Sequence, residues 1–328
     1  MSDELDFKVI LGNEIYLSEE GLTEQTNDQW TKEGNPGHFY HLILLAKDAE
    51  GYEQLKRLSS SAWRRAWFRN ILRTPTYPSD LYREVQGGHM ICSTACLGGY
   101  VARTVGHILE LDRYDNMSEF DQMFVDTRYN KEYYLDKLNN HLRGMEELFG
   151  KGNFFIELQP NDEEYGKEQI AFNKYMIEHY WGQYPFIFTT DSHYLKEDER
   201  EIHKAFLNSK SSSDREVDDF YHKAYMMSQE EIRSLMPYVS DEQFNEMVEN
   251  TRRIKEMCQF YELEQKPKLA TVEYEHWNEY EEDLFIFHEV DKETYPNFYD
   301  YLHSENKADN YLARLVAHGY VISFIFTM

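Results

Sequence analysis

The stretch FIFTTDSH, residues 186–193, joins a short aromatic and β-branched run to a carboxylate and an imidazole. So short an apolar run, closed by polar residues, reads as a strand buried on both faces. If the chain stays extended to its end, Asp191 and His193 project from one side and together could hold a divalent ion. The same plan recurs upstream in HLILLA (41–46), HMICST (89–94) and FFIEL (154–158). Each gives way to turn residues and then to a helical pattern. After the first comes AEGYEQLKRLSSSAW, in which Tyr52, Leu55 and Leu58 share a face. After the second comes a helical run from Tyr100 to Leu111, and after the third a helix is expected around 163–180. Alternating strand, turn and helix predicts an α/β fold with parallel strands.

Outward from this frame, Phe7 to Ile10 and Ile15 to Leu17 read as two short β segments with Glu14 at the break, and residues 18–38 as an exposed loop or hairpin. Arg64, Arg65, Arg69 and Arg73 lie among Trp63, Trp67 and Phe68. This basic and aromatic cluster could touch nucleic acid, or be an amphipathic helix with its arginines reaching to solvent. Ser228 with Glu231, and Ser240 with Gln243, have capping-box spacing. In the helix after Ser240, Phe244, Met247, Val248, Thr251, Ile254 and Cys258 trace one stripe. Residues 260–310 are acidic and aromatic, without clear period.

Sixty acidic against 34 basic residues give a net charge of −26 over 328 residues. That repels a polyanion unless the cations are concentrated on one face, so weak DNA binding by this chain alone is expected. Cys92, Cys96 and Cys258 are too few for a disulfide framework and fit a reducing compartment. With no apolar stretch of membrane-spanning length and no signal-like start, a cytoplasmic chain without a membrane role is expected.

Glu14, His41, Cys96, Asp191 and His193 each fall at or just beyond an expected strand. Side chains at the carboxyl ends of parallel barrel strands converge on one mouth. Singly, such a histidine is commonly a core residue and such an aspartate a helix cap. Jointly they point to a metal.

The ordered set GHFYHLILLAKDAEGYEQLKRLSS, GGHMICSTACLGGYVA, NFFIELQP and PFIFTTDSHYLKEDEREIHKAFL resembles the PHP domain of bacterial and phage DNA polymerase III alpha subunits. FKVILGNEIYL is similar to that family's glutamate strand, and MMSQEEIRSLMPYVSDEQFNEMVENTRRIKEMCQ to the helical segment after the domain. The resemblance implies an incomplete distorted (β/α) barrel followed by a small helical region. It divides the chain into a partial PHP domain (1–215), a helical connector (216–270) and an acidic segment leading toward a polymerase core (271–328). It makes Glu14, His41, Cys96, Asp191 and His193 metal ligands, with Asp191 and His193 acting in catalysis through the metal. The mixed N, O and S donors suit zinc or manganese, with iron as a third candidate.

In the family such a centre implies a 3′ to 5′ exonuclease of proofreading type. The family's opening His-x-His and Asp-His motifs have no counterpart before Glu14, where no histidine occurs. An incomplete site, inactive alone, and a chain without the polymerase active site are therefore expected. KADNYLARLVAHGY (307–320) is similar to the segment leading toward the polymerase core, and the VISFIFTM that follows suggests a frame change or unspliced intron, with the start truncated likewise. Expected partners are DNA through the full polymerase, a complementary polymerase fragment and replisome subunits. Two other readings are a stand-alone PHP phosphoesterase acting on a small phosphate ester and a non-catalytic interaction module with one structural metal.

Overall fold

The computed structural model describes residues 8–27, 39–68, 72–123, 125–209, 219–263, 292–294, 296–306 and 309–316. Strands β1 (Gly12–Leu17) and β2 (Tyr40–Ala46) pair antiparallel, Glu14 opposite Ile43 and Tyr16 opposite His41. Alternation sends Ile15, Leu17, Leu42, Leu44 and Ala46 to one face, where all are buried. Glu14, Tyr16, His41 and Ile43 share the other face. Strands β3 (Trp67–Phe68) and β4 (Leu72–Arg73) form a separate two-stranded ribbon. With β5 (Pro75–Thr76), β6 (Met90–Ser93), β7 (Phe154–Leu158) and β8 (Phe186–Phe188), the main sheet runs β5-β1-β2-β6-β7-β8.

Helices α1 (Ala49–Arg64), α2 (Pro78–Glu84), α3 (Tyr100–Arg113), α4 (Lys131–Phe149) and α5 (Lys167–Tyr180) alternate with these strands. Their apolar stripes, including Leu58, Val105, Ile108, Leu138, Leu142 and Met176, join Leu44, Met90, Phe154 and Ile156 in the main core. Each such side chain contributes about 1.5–3 kcal/mol by leaving water. After α6 (Arg200–Ser209) and α7 (Gln229–Leu235), α8 (Asp241–Met257) closes the other face of the sheet. There Ile254 and Cys258 cover Ile91, Phe155 and Ile187. Both expected capping boxes form, at Ser228–Glu231 and Ser240–Gln243. Phe244, Met247, Ile254 and Cys258 are buried as their spacing predicts, while Thr251 faces solvent and bonds back to the Met247 carbonyl at 3.0 Å.

The fold is mixed α/β, with parallel pairs β1–β5, β6–β7 and β7–β8. The expectation of parallel strands fails at β2, which runs antiparallel to both β1 and β6. A short aliphatic run records burial but not direction. Among the described residues β5 and β8 remain edges, so the sheet does not close into a barrel. No strand covers residues 8–11, and Glu14 lies inside β1 rather than at a break; Phe7 lies outside the described residues. Of 18–38, one helical turn at 24–27 is seen and 28–38 lie outside them.

The basic and aromatic cluster is no continuous helix, since α1 ends at Arg64 and the β3–β4 ribbon follows. Arg65 lies over the Tyr77 ring at 4.1 Å and pairs with buried Asp80, and Arg73 lies over Phe39 at 4.8 Å. Arg69 is outside the described residues.

Residues 1–263 form one compact unit and 264–328 a second. In the first, the Asn250 amide donates to the Phe186 carbonyl at 2.9 Å, and the Phe244 and Phe188 rings stack at 5.1 Å, so α8 is bound to β8. The second holds α9 (Pro296–Leu302) and a helix over 309–316, joined by the Asn310 amide donating to the Leu302 carbonyl at 2.6 Å. Residues 264–291 and VISFIFTM lie outside the described residues. Among those described, no helix is long and apolar enough to cross a membrane.

Because Met247 is fully buried between α8 and the sheet, Met247→Ala should cost about 2–5 kcal/mol. The check is the denaturant midpoint for unfolding of the sheet; an unchanged midpoint would mean α8 is not part of that core.

Candidate metal centre

The reversal of β2 places its first residues at the rim where β6 ends. Residue pairing does the rest: Glu14 lies opposite Ile43, whose same-face neighbour two residues earlier is His41. After β6 the chain turns back through Thr94–Gly99, with Ala95 at φ 59°, a left-handed conformation costing on the order of 1–2 kcal/mol for a residue with a Cβ. The turn closes against β2. His41 N–H donates to the Gly98 carbonyl at 3.1 Å, and Gly98 N–H donates to the Cys96 sulfur at 3.4 Å. Gly99 permits the approach, because a Cβ there would sit 2.3 Å from the Thr94 carbonyl oxygen.

Three donor types therefore meet. Glu14 Oε1 lies 2.7 Å and Cys96 Sγ 3.4 Å from His41 Nδ1, and the carboxylate, imidazole and sulfur all fall within 4.8 Å of one another. Cys96 and then Glu14 raise the His41 pKa to about 10 against the opposing effect of burial. Both neighbours thus favour a positive charge on His41, as they would favour a cation between them. Tetrahedral bonds near 2.0 Å for N and O and 2.3 Å for S set ligand edges at about 3.3 Å for N–O and about 3.5 Å for N–S. The histidine–sulfur pair already has that spacing, and the Glu14–His41 contact must open by less than about 1 Å. The donor set fits one ion.

Asp191 and His193 reach each other by another route than expected. Strand β8 stops at Phe188 and Asp191 adopts φ 45°, so the two are not alternate residues of an extended segment. The bend still brings His193 Nε2 to 3.5 Å from Asp191 Oδ1. His193 N–H donates to the Ala224 carbonyl at 2.8 Å, and its ring meets those of Tyr221 at 4.7 Å and His203 at 5.4 Å. Asp191 raises the His193 pKa, burial opposes, and the charge of Glu14 adds to the rise. The pair stands near enough to sense Glu14 but is not among the three residues whose donors converge. Ala95 and Asp191 are the non-glycine residues at positive φ among those described; each adjoins or is a candidate ligand.

Glu157 escaped the sequence reading. It lies on β7, 4% exposed, and accepts from Ser93 Oγ at 2.5 Å, Thr189 Oγ1 at 2.5 Å and Gln159 Nε2 at 3.3 Å. One carboxylate thereby ties the ends of β6 and β7 to the segment after β8, beneath the rim. Its signal was a lone acid inside the apolar FFIEL, which needs donors to be tolerated there.

An open α/β sheet thus gathers N, O and S donors that could hold a metal ion on its rim. The chain carries a PHP domain, matched over residues 2–161. It is 34% identical over 323 residues, 96% of its length, to a probable DNA polymerase, YorL, of Bacillus subtilis (strain 168), and equally to a DNA-directed DNA polymerase of Bacillus phage SPbeta. It is 28% identical over 260 residues, 76% of its length, to the DNA polymerase III subunit alpha of Thermus aquaticus. The chain spans 23% of the length of the two Bacillus relatives and 18% of the Thermus protein.

Burial raises the Glu157 pKa despite its three donors. The folded state then holds a proton that the unfolded chain has released, so this residue's contribution to stability falls as pH rises from the ordinary glutamate range through the raised value. Glu157→Gln should flatten that part of the pH–stability curve, read as unfolding midpoints of both proteins across the acidic range; parallel curves would contradict the assignment.

Proposed function

We propose that this chain serves as the PHP portion of a replicative DNA polymerase of the alpha-subunit type, holding one divalent ion through Glu14, His41 and Cys96. The convergence of these three donors carries the reading. The mixed N, O and S donors suit zinc or manganese, with iron third, better than magnesium or calcium, and the sulfur itself favours zinc. A bound ion of this kind supplies Lewis acidity and lowers the pKa of water, the requirement for phosphoester cleavage.

Within the chain, Gly98 N–H supports the sulfur donor and Glu14 supplies negative charge. Asp191 orients His193 beside them for moving a proton. With one group of three donors among the described residues, the domain acts as a metal-stabilised scaffold, and hydrolysis of DNA by the chain alone is negligible. DNA and replisome subunits are contacted through the polymerase as a whole. The 1–215, 216–270 and 271–328 division belongs to this proposal, with the helical connector docked on the sheet through α8.

Metal analysis after loading with zinc or manganese should find one equivalent, lost in His41→Ala and Cys96→Ser. Ion at 100 times its Kd should stabilise the fold by about 2.7 kcal/mol, a rise of roughly 5–10 °C in Tm. No bound metal would refute the site. Manganese-dependent cleavage of single-stranded DNA abolished by His193→Ala would replace the scaffold with a hydrolase.

A further inference from the structure

On β2 the alternate residue to His41 is Tyr40, which faces the other side of the sheet, and Leu97 follows Cys96 in the same turn. Both line a cavity of about 730 Å³ bounded by α3, α4 and the start of α5, within the usual range of about 300–1,000 Å³ for small-molecule sites. It is separate from the metal rim.

Its walls combine two kinds of group. Tyr40 and Tyr100 meet edge to face at 5.0 Å, and Tyr129 stacks on Tyr133 at 4.1 Å with 43% of Tyr129 exposed. Arg103 from α3 lies over Tyr40 at 5.7 Å, and Lys137 from α4 over Tyr133 at 5.2 Å. Among the described residues neither cation has a carboxylate partner. A guanidinium and an ammonium thus each lie over a tyrosine ring in one cavity of a chain of charge −26. The lining also includes Glu19, Glu110 and Glu168, of which Glu110 lies 3.6 Å from His107. Burial raises the Tyr40 pKa and keeps its hydroxyl a donor.

We propose that this cavity binds a nucleotide, its base stacked on Tyr129 and its phosphate held between Arg103 and Lys137. Aromatic rings accept any base by stacking, and a guanidinium and an ammonium supply charge-assisted bonds to phosphate. An inorganic anion would leave the tyrosines unused, and an apolar ligand would leave Arg103 and Lys137 without a role. The same chemistry is presented by a free nucleoside monophosphate and by the terminal nucleotide of a single strand.

The test uses the full chain treated with chelator, so that the metal rim does not contribute, with dAMP, inorganic phosphate and a short fluorescein-labelled oligothymidylate as probes. Saturable dAMP binding is expected. Arg103→Ala and Lys137→Ala should each weaken it by roughly tenfold. Tyr129→Ala should weaken dAMP while leaving inorganic phosphate unchanged, and Arg64→Ala, an equal charge change on α1, should alter nothing. Oligothymidylate binding more tightly than dAMP and displaced by it identifies a strand end; equal affinities identify the free nucleotide. Circular dichroism of each variant confirms folding. The proposal is overturned if neither dAMP nor the oligonucleotide saturates at millimolar concentration, or if the Arg103→Ala/Lys137→Ala double variant binds as well as the parent.

Discussion

The seam between the first residues of β2 and the turn after β6 sets the rest of the site. His41 donates its backbone N–H to Gly98, and Gly98 in turn donates to the Cys96 sulfur. These are main-chain constraints, so the imidazole and the sulfur are brought together by backbone geometry rather than by their own attraction. Glu14 comes with them because antiparallel pairing fixes it diagonally across from His41. Ala95 in a left-handed conformation and Gly99 against the Thr94 carbonyl are the local cost of the arrangement. The apolar contacts of β2, β6 and β7 with α1, α3 and α4 offset that cost.

Charge is arranged in layers on this frame. Below the rim, Glu157 is tolerated because hydroxyl and amide donors surround it. At the rim, carboxylates and the sulfur collect where a cation would be held. On the opposite side of β2, Tyr40 and the helices behind it present Arg103 and Lys137. Successive residues of one strand thus serve two surfaces of opposite electrostatic character, as side-chain alternation allows.

Much of the fold was legible in the sequence because burial and periodicity leave direct traces. FFIEL, the Tyr100 helix and both capping boxes lie where spacing placed them. Strand direction was not legible at HLILLA, since an aliphatic run looks alike in either sense. Nor was the bend at Asp191, a conformation that no neighbouring glycine announces. The convergence of Glu14, His41 and Cys96 was legible only as a set, and the separate pairing of Asp191 with His193 required coordinates. Arg65 and Arg73 read as a basic patch in sequence, yet their guanidinium groups lie over aromatic rings inside the domain.

The proposed site binds a single ion through mixed sulfur, nitrogen and oxygen donors. X-ray absorption at the zinc edge of the zinc-loaded chain tests it most directly. One sulfur scatterer at about 2.3 Å and nitrogen or oxygen scatterers at about 2.0–2.2 Å are expected. A shell of nitrogen and oxygen alone, or one containing several sulfurs, would contradict it.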